Sequence, residues 1–132
     1  LEAEFLGRFL KERQPLPAIA LTTNASAVTA IANDYDYSEI FSRQLQGLAK
    51  TGDVLVGIST SGNSANVIEA IKMANECGVK SIALTGQNSS ESGNLADIAI
   101  RAPSTHTPRI QEMHIAIGHT LCELAENNLS ET

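Results

Sequence analysis

The 132-residue chain has no tryptophan, few aromatic side chains and only two cysteines, Cys77 and Cys122. Both cysteines stand alone in segments predicted to be helical, which favours reduced core thiols and a cytoplasmic protein over a disulfide framework. No apolar run approaches the ~20 residues that a membrane-spanning helix needs. We therefore expect neither a disulfide-stapled secreted module nor a membrane partner.

Positive charge is also scarce. Lys and Arg number 9 against 15 Asp and Glu, which gives a net charge of −6 and a pI near 4.9. This balance excludes a broad basic surface, so we expect no nucleic-acid partner. The length and the 42% hydrophobic content instead suit one globular domain over residues 1–132.

Strands are predicted where apolar residues run continuously, at Pro17–Leu21, Val54–Ile58, Lys80–Thr85 and Ile98–Ile100. Helices are predicted at Leu1–Leu10, Ser26–Ile31, Ser38–Leu48, Ser64–Cys77 and Arg109–Glu126, with a turn at 33–36 and a polar loop at 87–94. Alternating helices and apolar strands indicate an α/β fold, a doubly wound parallel sheet with helices on both faces. No capping residue precedes Leu1, so we expect the chain to lack its natural beginning and, with it, part of the site.

The most informative segment is Ser59–Ser64, which carries four hydroxyls, an amide and a glycine between a predicted strand and a predicted helix. A helix N-terminus offers unpaired N–H groups and partial positive charge, so hydroxyls around it suit a phosphate monoester. The segment is neither a Walker A loop, since it has no lysine, nor a GxGxxG fingerprint. An N-cap with a polar loop is the alternative, and it accounts for one or two of the six residues.

Two groups of segments carry a family resemblance. Ile58–Ser64, followed by Leu84-Thr85-Gly86, resembles the sugar isomerase (SIS) domain, which has a three-layer Rossmann-like fold. Ala30–Asp34, Ile40–Arg43 and Arg109–His114 are similar to bacterial phosphoheptose isomerases (sedoheptulose 7-phosphate isomerases). The resemblance covers essentially the whole chain. It implies conversion of D-sedoheptulose 7-phosphate to D-glycero-D-manno-heptose 7-phosphate, for heptose and lipopolysaccharide precursors, by a cytoplasmic homotetramer whose sites form between subunits.

The resemblance also implies residue roles. Ser59, Thr60, Ser61 and Ser64 would hold the phosphate, while Asn33 and Asp34 would bind sugar hydroxyls. Glu4 and His119 would be the catalytic pair, with Arg8 and Gln111 contacting substrate. Some members hold a zinc ion through a His, a Glu, a Gln and a His. Glu4, Gln111 and His119 match three of these ligands, and the first His would precede Leu1; no organic cofactor is expected.

The residue chemistry is consistent with these roles. Interconverting a ketose and an aldose moves a proton between neighbouring carbons through an enediol, a task that suits a carboxylate and an imidazole. His119 lies eight positions after Gln111, ~80° around an ideal helix, so both can point to one side. The alternatives stay open: Glu4 as a surface carboxylate, His119 as a structural histidine and Asp34 as a turn residue. His114 is interpreted as a packing or partner contact, and Glu112 could orient His119.

A second function class also remains. Non-catalytic SIS proteins that bind phosphosugars, or associate with replication initiators, share the Ala30–Asp34 and Arg109–His114 segments. His119 and Ser61 favour the enzyme, because we expect the regulators to differ there.

Overall fold

The computed structural model describes residues 1–129. Six α-helices and three strands are assigned in this range, at α1 Glu2–Leu6, α2 Ala25–Asp34, α3 Ser42–Leu48, β1 Val54–Ile58, α4 Ala65–Cys77, β2 Lys80–Thr85, α5 Glu91–Leu95, β3 Ile98–Arg101 and α6 Thr107–Leu129. A short 3₁₀ helix, Tyr37–Glu39, precedes α3. No helix among these residues is long and apolar enough to cross a membrane.

The strands form a parallel sheet in the order β1-β2-β3. In the register, Gly57 lies beside Ala83, and Ile58 beside Leu84. Since each β–α–β crossover packs a helix on the sheet, the strands need apolar residues on both faces. This requirement explains why their sequences are continuous apolar runs.

Helices cover both faces of the sheet, as the sequence predicts. On one face, Val67 and Ile71 of α4 pack with Ala83 of β2, and Ile71 and Ala83 are fully buried. Alternation along the strands turns Ile58 and Leu84 to the opposite face, where Ile58 lies across a cleft from α6. The carboxyl ends of β1 and β2 therefore lie between α4 and α6.

The predicted strand Pro17–Leu21 is wrong, because the segment is irregular and pairs with no strand in the described part of the chain. Pro15 and Pro17 have no N–H to donate to a sheet. The Leu16 amide donates to Phe5 O, and Leu21 O accepts from the Gln44 side chain. These bonds to residues outside the sheet replace the strand-to-strand hydrogen bonds that a β-strand would make.

Several helix boundaries also differ. α1 ends at Leu6, and α2 extends through Asp34, so Asn33 and Asp34 are its last residues rather than a turn. The predicted Ser38–Leu48 helix is split, and Asp36, not Ser38, caps its first part by accepting the Ser38 amide at 2.8 Å. The predicted polar loop 87–94 contains the start of α5. β1, β2, β3, α4 and α6 are confirmed within a few residues.

Candidate active site

The Ser59–Ser64 loop follows β1 at the carboxyl edge of the sheet. Ser59 N donates to Leu84 O and Gly86 N donates to Thr60 O, both at 3.0 Å, so the loop is fastened to the end of β2. The buried Ser59 hydroxyl lies 2.8 Å from Ser64 Oγ and 3.4 Å from Ser61 Oγ. Three hydroxyls thus converge within a single turn of chain.

The turn depends on Gly62. Its φ of 67° is left-handed, a conformation that L side chains rarely adopt. A Cβ at this position would also collide with the Ser90 side chain. Gly62 O accepts from Ser92 N, and the Asn63 side chain accepts from Glu91 N, each at 3.0 Å. The start of α5 therefore fixes the loop in place through these two hydrogen bonds.

The loop leads directly into the N-terminus of the 13-residue helix α4. Ser64 is the N-cap residue, but its side chain makes no capping bond, because the hydroxyl points to Ser59 instead. The partial positive charge of the helix end then lies beside a group of hydroxyl donors. Together they can bind an anion such as a phosphate monoester.

A cleft of about 530 Å³ separates this loop from α6. Ser59, Thr60 and Ser64 line one wall, and Gln111, His114, Ile115, Gly118 and His119 line the other. Leu1 closes one end. The cleft therefore places an amide and an imidazole opposite the anion-binding loop.

The residues that flank helix α1 contact the same stretch of α6. A Cβ on Gly118 would lie 2.8 Å from Leu1 Cδ2, so the glycine permits this close approach. The Phe9 ring lies 5.7 Å from the His119 ring, between centroids. Burial raises the pKa of the Cys122 thiol, and the nearby Glu4 carboxylate raises it further. Glu4, half-buried on α1, therefore lies within electrostatic range of Cys122, three residues after His119 on α6.

Comparison with known proteins is consistent with this arrangement. Residues 1–86 match the family profile of the SIS domain. The phosphoheptose isomerase of Rhodospirillum rubrum is 57% identical over 98% of this chain and 69% of its own length. The chain belongs to the SIS family, among its phosphoheptose isomerases.

Solved structures agree with the membership. The phosphoheptose isomerase from Neisseria gonorrhoeae superposes with a TM-score of 0.88 at 46% identity, over 96% of this chain and 67% of that one. The isomerase from Francisella tularensis gives the same TM-score at 41% identity, over 92% and 65%. The chain thus spans about two thirds of the length of its isomerase relatives.

Not all of the residues expected from the isomerase resemblance meet in the cleft. Asn33 and Asp34 are exposed at the end of α2, where the Asn33 amide donates to Asp34 at 2.8 Å. Arg8 lies beyond the end of α1, exposed, with Glu12 3.9 Å away. Ser61 lines a neighbouring cavity of about 190 Å³ instead of the cleft. Within one chain, the cleft gathers Ser59, Thr60, Ser64, Gln111 and His119, and Glu4 is not among the residues that line it.

His114, interpreted from sequence as a packing or partner contact, is buried and also lines the cleft, which the sequence did not predict. It is 5% exposed, lines the cleft, and its Nε2 lies 3.0 Å from Thr85 O. Because a carbonyl only accepts, Nε2 carries the proton, while Nδ1 is buried without a partner in the described residues. His114 lies three residues after Gln111 on α6, and this spacing places both on one face of the helix. Glu112, by contrast, pairs with Arg109 at 2.6 Å and is exposed.

Proposed function

We propose that the chain converts D-sedoheptulose 7-phosphate to D-glycero-D-manno-heptose 7-phosphate through an enediol, in heptose and lipopolysaccharide precursor synthesis. The observation that carries the proposal is the cleft, which sets Ser59, Thr60 and Ser64 across from Gln111 and His119. An aldose–ketose isomerase must bind the phosphate at one end of the sugar and transfer protons at the other. In this proposal one wall of the cleft binds the phosphate, and the opposite wall contacts the carbonyl end.

The phosphate end supplies binding energy. Hydroxyls of Ser59, Thr60, Ser61 and Ser64 would donate to the phosphate oxygens at the N-terminus of α4. The phosphate lies far along the sugar from the reacting carbons, so this binding orients the substrate without touching the chemistry. Because the donors are neutral, the site binds phosphate without a basic surface, in keeping with the acidic composition.

The carbonyl end requires two proton transfers. A proton leaves C1 of the ketose, the resulting enediol rearranges its hydroxyl protons, and a proton is returned to C2 to give the aldose. Glu4 and His119 form the proposed proton-transfer pair, because a carboxylate and an imidazole can both be tuned to act near neutral pH. Gln111, on the same cleft wall as His119, would hydrogen-bond the substrate oxygens.

A zinc ion is part of the proposal as well. No three His, Cys, Asp or Glu side chains within residues 1–129 cluster as a metal site. The oxygen and nitrogen donors of Glu4, Gln111 and His119 nevertheless suit zinc, and these residues would hold it. When bound, zinc would polarise the carbonyl and enediol oxygens. Elemental analysis of the purified full-length protein tests this: zinc absent even after reconstitution would refute it.

We further propose a cytoplasmic homotetramer with sites shared between subunits. The placement of Asn33, Asp34 and Arg8 away from the cleft of their own chain supports this arrangement, since a second subunit could bring them to it.

The test is an isomerase assay of the full-length protein with sedoheptulose 7-phosphate. We expect turnover, and we expect His119→Gln to abolish it while phosphosugar binding, measured by calorimetry, persists. His106→Gln is the matched control, because His106 lies in the loop before α6 and outside the cleft. Absence of turnover, together with tight binding to a replication initiator, would refute the isomerase and favour the regulator.

A further inference from the structure

The buried carboxylate of Glu126, near the end of α6, accepts hydrogen bonds from the backbone of the segment that follows α1. Only 1% of Glu126 is exposed. Its Oε1 accepts from Phe9 N at 3.1 Å, and its Oε2 accepts from Leu10 N and Lys11 N at 2.8 and 2.9 Å. Three consecutive backbone amides therefore converge on one side chain more than a hundred residues away in sequence.

Arg13 extends this cluster back to α1. Its Nε donates to Glu126 Oε1 at 2.9 Å. Its Nη2 donates to Glu4 O at 2.8 Å, and its Nη1 donates to Phe5 O at 3.0 Å. The rigid guanidinium fork can bond the carboxylate and the carbonyls together. These carbonyls belong to the last turn of α1, whose C-terminal C=O groups lack helical partners.

Helix α1 needs such an anchor. It has five residues, none of them fully buried, and no side-chain bond caps its start. An isolated helix of this length is not stable in water. Its position therefore depends on tertiary contacts, namely Leu1 against Gly118 and the bonds made by Arg13.

The anchored segment carries two groups that bear on the proposed chemistry. Glu4 lies on α1, and Phe9, whose amide Glu126 holds, places its ring beside His119. Glu126 itself follows His119 by seven residues, about two helical turns, along α6. One buried carboxylate is thus bonded directly to the Phe9–Lys11 backbone and, through Arg13, to the backbone of Glu4 and Phe5.

We propose that Glu126, acting through Arg13, is a positioning residue that holds Glu4 and the Phe9–His119 contact in place for proton transfer. Both of its carboxylate oxygens accept bonds from backbone amides or Arg13, and it does not line the cleft. The inference rests on the proposed isomerase function. It goes beyond that function by assigning the alignment of the catalytic pair to a cluster remote from the phosphate loop.

The test compares Glu126→Gln with Glu123→Gln in the full-length protein. Both remove one negative charge from α6, but Glu123 is exposed. For Glu126→Gln we expect kcat to fall about 10- to 100-fold, as displacement of a catalytic group does, with KM changed less than about 3-fold because the phosphate loop is untouched. We expect Glu123→Gln to match the unaltered protein.

Two further measurements keep the inference falsifiable. The ring-proton NMR shifts of His119 report on the nearby Phe9 ring, so they should move in Glu126→Gln and stay in Glu123→Gln. If Glu126→Gln does not fold, Arg13→Lys replaces it. Lysine keeps the charge beside Glu126 but cannot bond Glu4 O and Phe5 O with a fork, so kcat should again fall while KM holds.

The outcomes separate this inference from the function on which it rests. Normal kcat and unchanged His119 shifts in the Glu126 or Arg13 variant, with an active parent protein, would overturn the positioning role alone. A rise in KM of about 10- to 100-fold, without a fall in kcat, would also overturn the positioning role. An inactive parent protein would overturn the proposed isomerase, and the positioning role of Glu126 with it.

Discussion

Single residues set the shape of the Ser59–Ser64 loop. Ser59 has the central position, because its hydroxyl contacts Ser61 and Ser64 and also accepts the Gly62 amide at 3.1 Å. Gly62 allows the reversal that brings these groups together. At this scale the arrangement depends on a hydroxyl in a buried position and on a backbone conformation that needs glycine.

We predict that Gly62→Ala destabilises the protein by about 2 kcal/mol or more. The left-handed conformation costs an L-residue about 1–2 kcal/mol, and the new Cβ collides with Ser90. Denaturant unfolding measures the change in free energy. Gly47→Ala is the matched control: nothing lies within 4 Å of a Cβ there, and alanine should stabilise helix α3 by about 0.5–1 kcal/mol. Equal effects of the two substitutions would contradict the role assigned to Gly62.

At the scale of elements, a tertiary contact decides where α1 ends. The pattern of Leu1–Leu10 predicts one continuous amphipathic helix, yet the amides of residues 9–11 bond to Glu126 instead of to carbonyls one turn earlier. The hydrogen bonds that Glu126 accepts also change the pKa of its carboxyl group. Burial by itself raises the pKa of Glu126, but the bonds from the Leu10, Lys11 and Phe9 amides and from Arg13 outweigh it and lower the pKa to about 2.

This pKa predicts an acid-sensitive contribution to stability. Because the pKa in the folded protein lies below the ordinary value of 4.5, the contribution is complete above that value and is lost as pH falls towards 2. The difference in unfolding free energy between the unaltered protein and Glu126→Gln should therefore shrink over this range. Unfolding at a series of pH values measures it.

The unfolding free energy of the variant must be subtracted from that of the unaltered protein, because other carboxylates also contribute to stability in this pH range. The pKa of Asp97 is lowered by hydrogen bonds from Lys80 and Ser81, and the pKa of Asp36 by hydrogen bonds from Ser38. Their contributions cancel when the two proteins are compared. Glu123→Gln, which removes the same charge from an exposed position of α6, is the matched control. A pH-independent difference for Glu126→Gln would contradict the lowered pKa.

Elements with a strong local pattern were predictable, and those that depend on distant partners were not. Val54–Ile58 and Lys80–Thr85 are strands because their apolar runs can only be buried within a covered sheet. Pro17–Leu21 has a similar apolar run, but it begins with a proline, and Leu21 O accepts from the Gln44 side chain instead of from a strand. Composition alone does not distinguish the two cases.

At the scale of the whole molecule, one chain assembles only part of the expected site. The cleft holds the phosphate loop with Gln111 and His119, while Asp34 lies exposed on α2 and does not line the cleft. A shared site in a homotetramer would reconcile the two facts. The arrangement can be tested by mixing subunits.

We predict that inactive Asp34→Asn and His119→Gln subunits restore activity when they are co-expressed. If each site draws these residues from different subunits, random assembly leaves about a quarter of the sites intact. The isomerase assay on the purified mixed oligomer measures the recovery. Subunits of each variant purified alone are the controls. Activity no higher than that of the single variants would place both residues in one subunit's site.

The sequence by itself determined the α/β class, the strands β1 to β3, the helices α4 and α6, and the polar loop Ser59–Ser64 between β1 and α4. Each of these follows from local chemistry: apolar periodicity, helix ends and the hydroxyls that flank them. Only the tertiary structure decided where α1 ends, that Pro17–Leu21 is not a strand, and that His114 lines the cleft. These features depend on Glu126, Gln44 and Thr85, partners far along the chain whose approach no local pattern encodes.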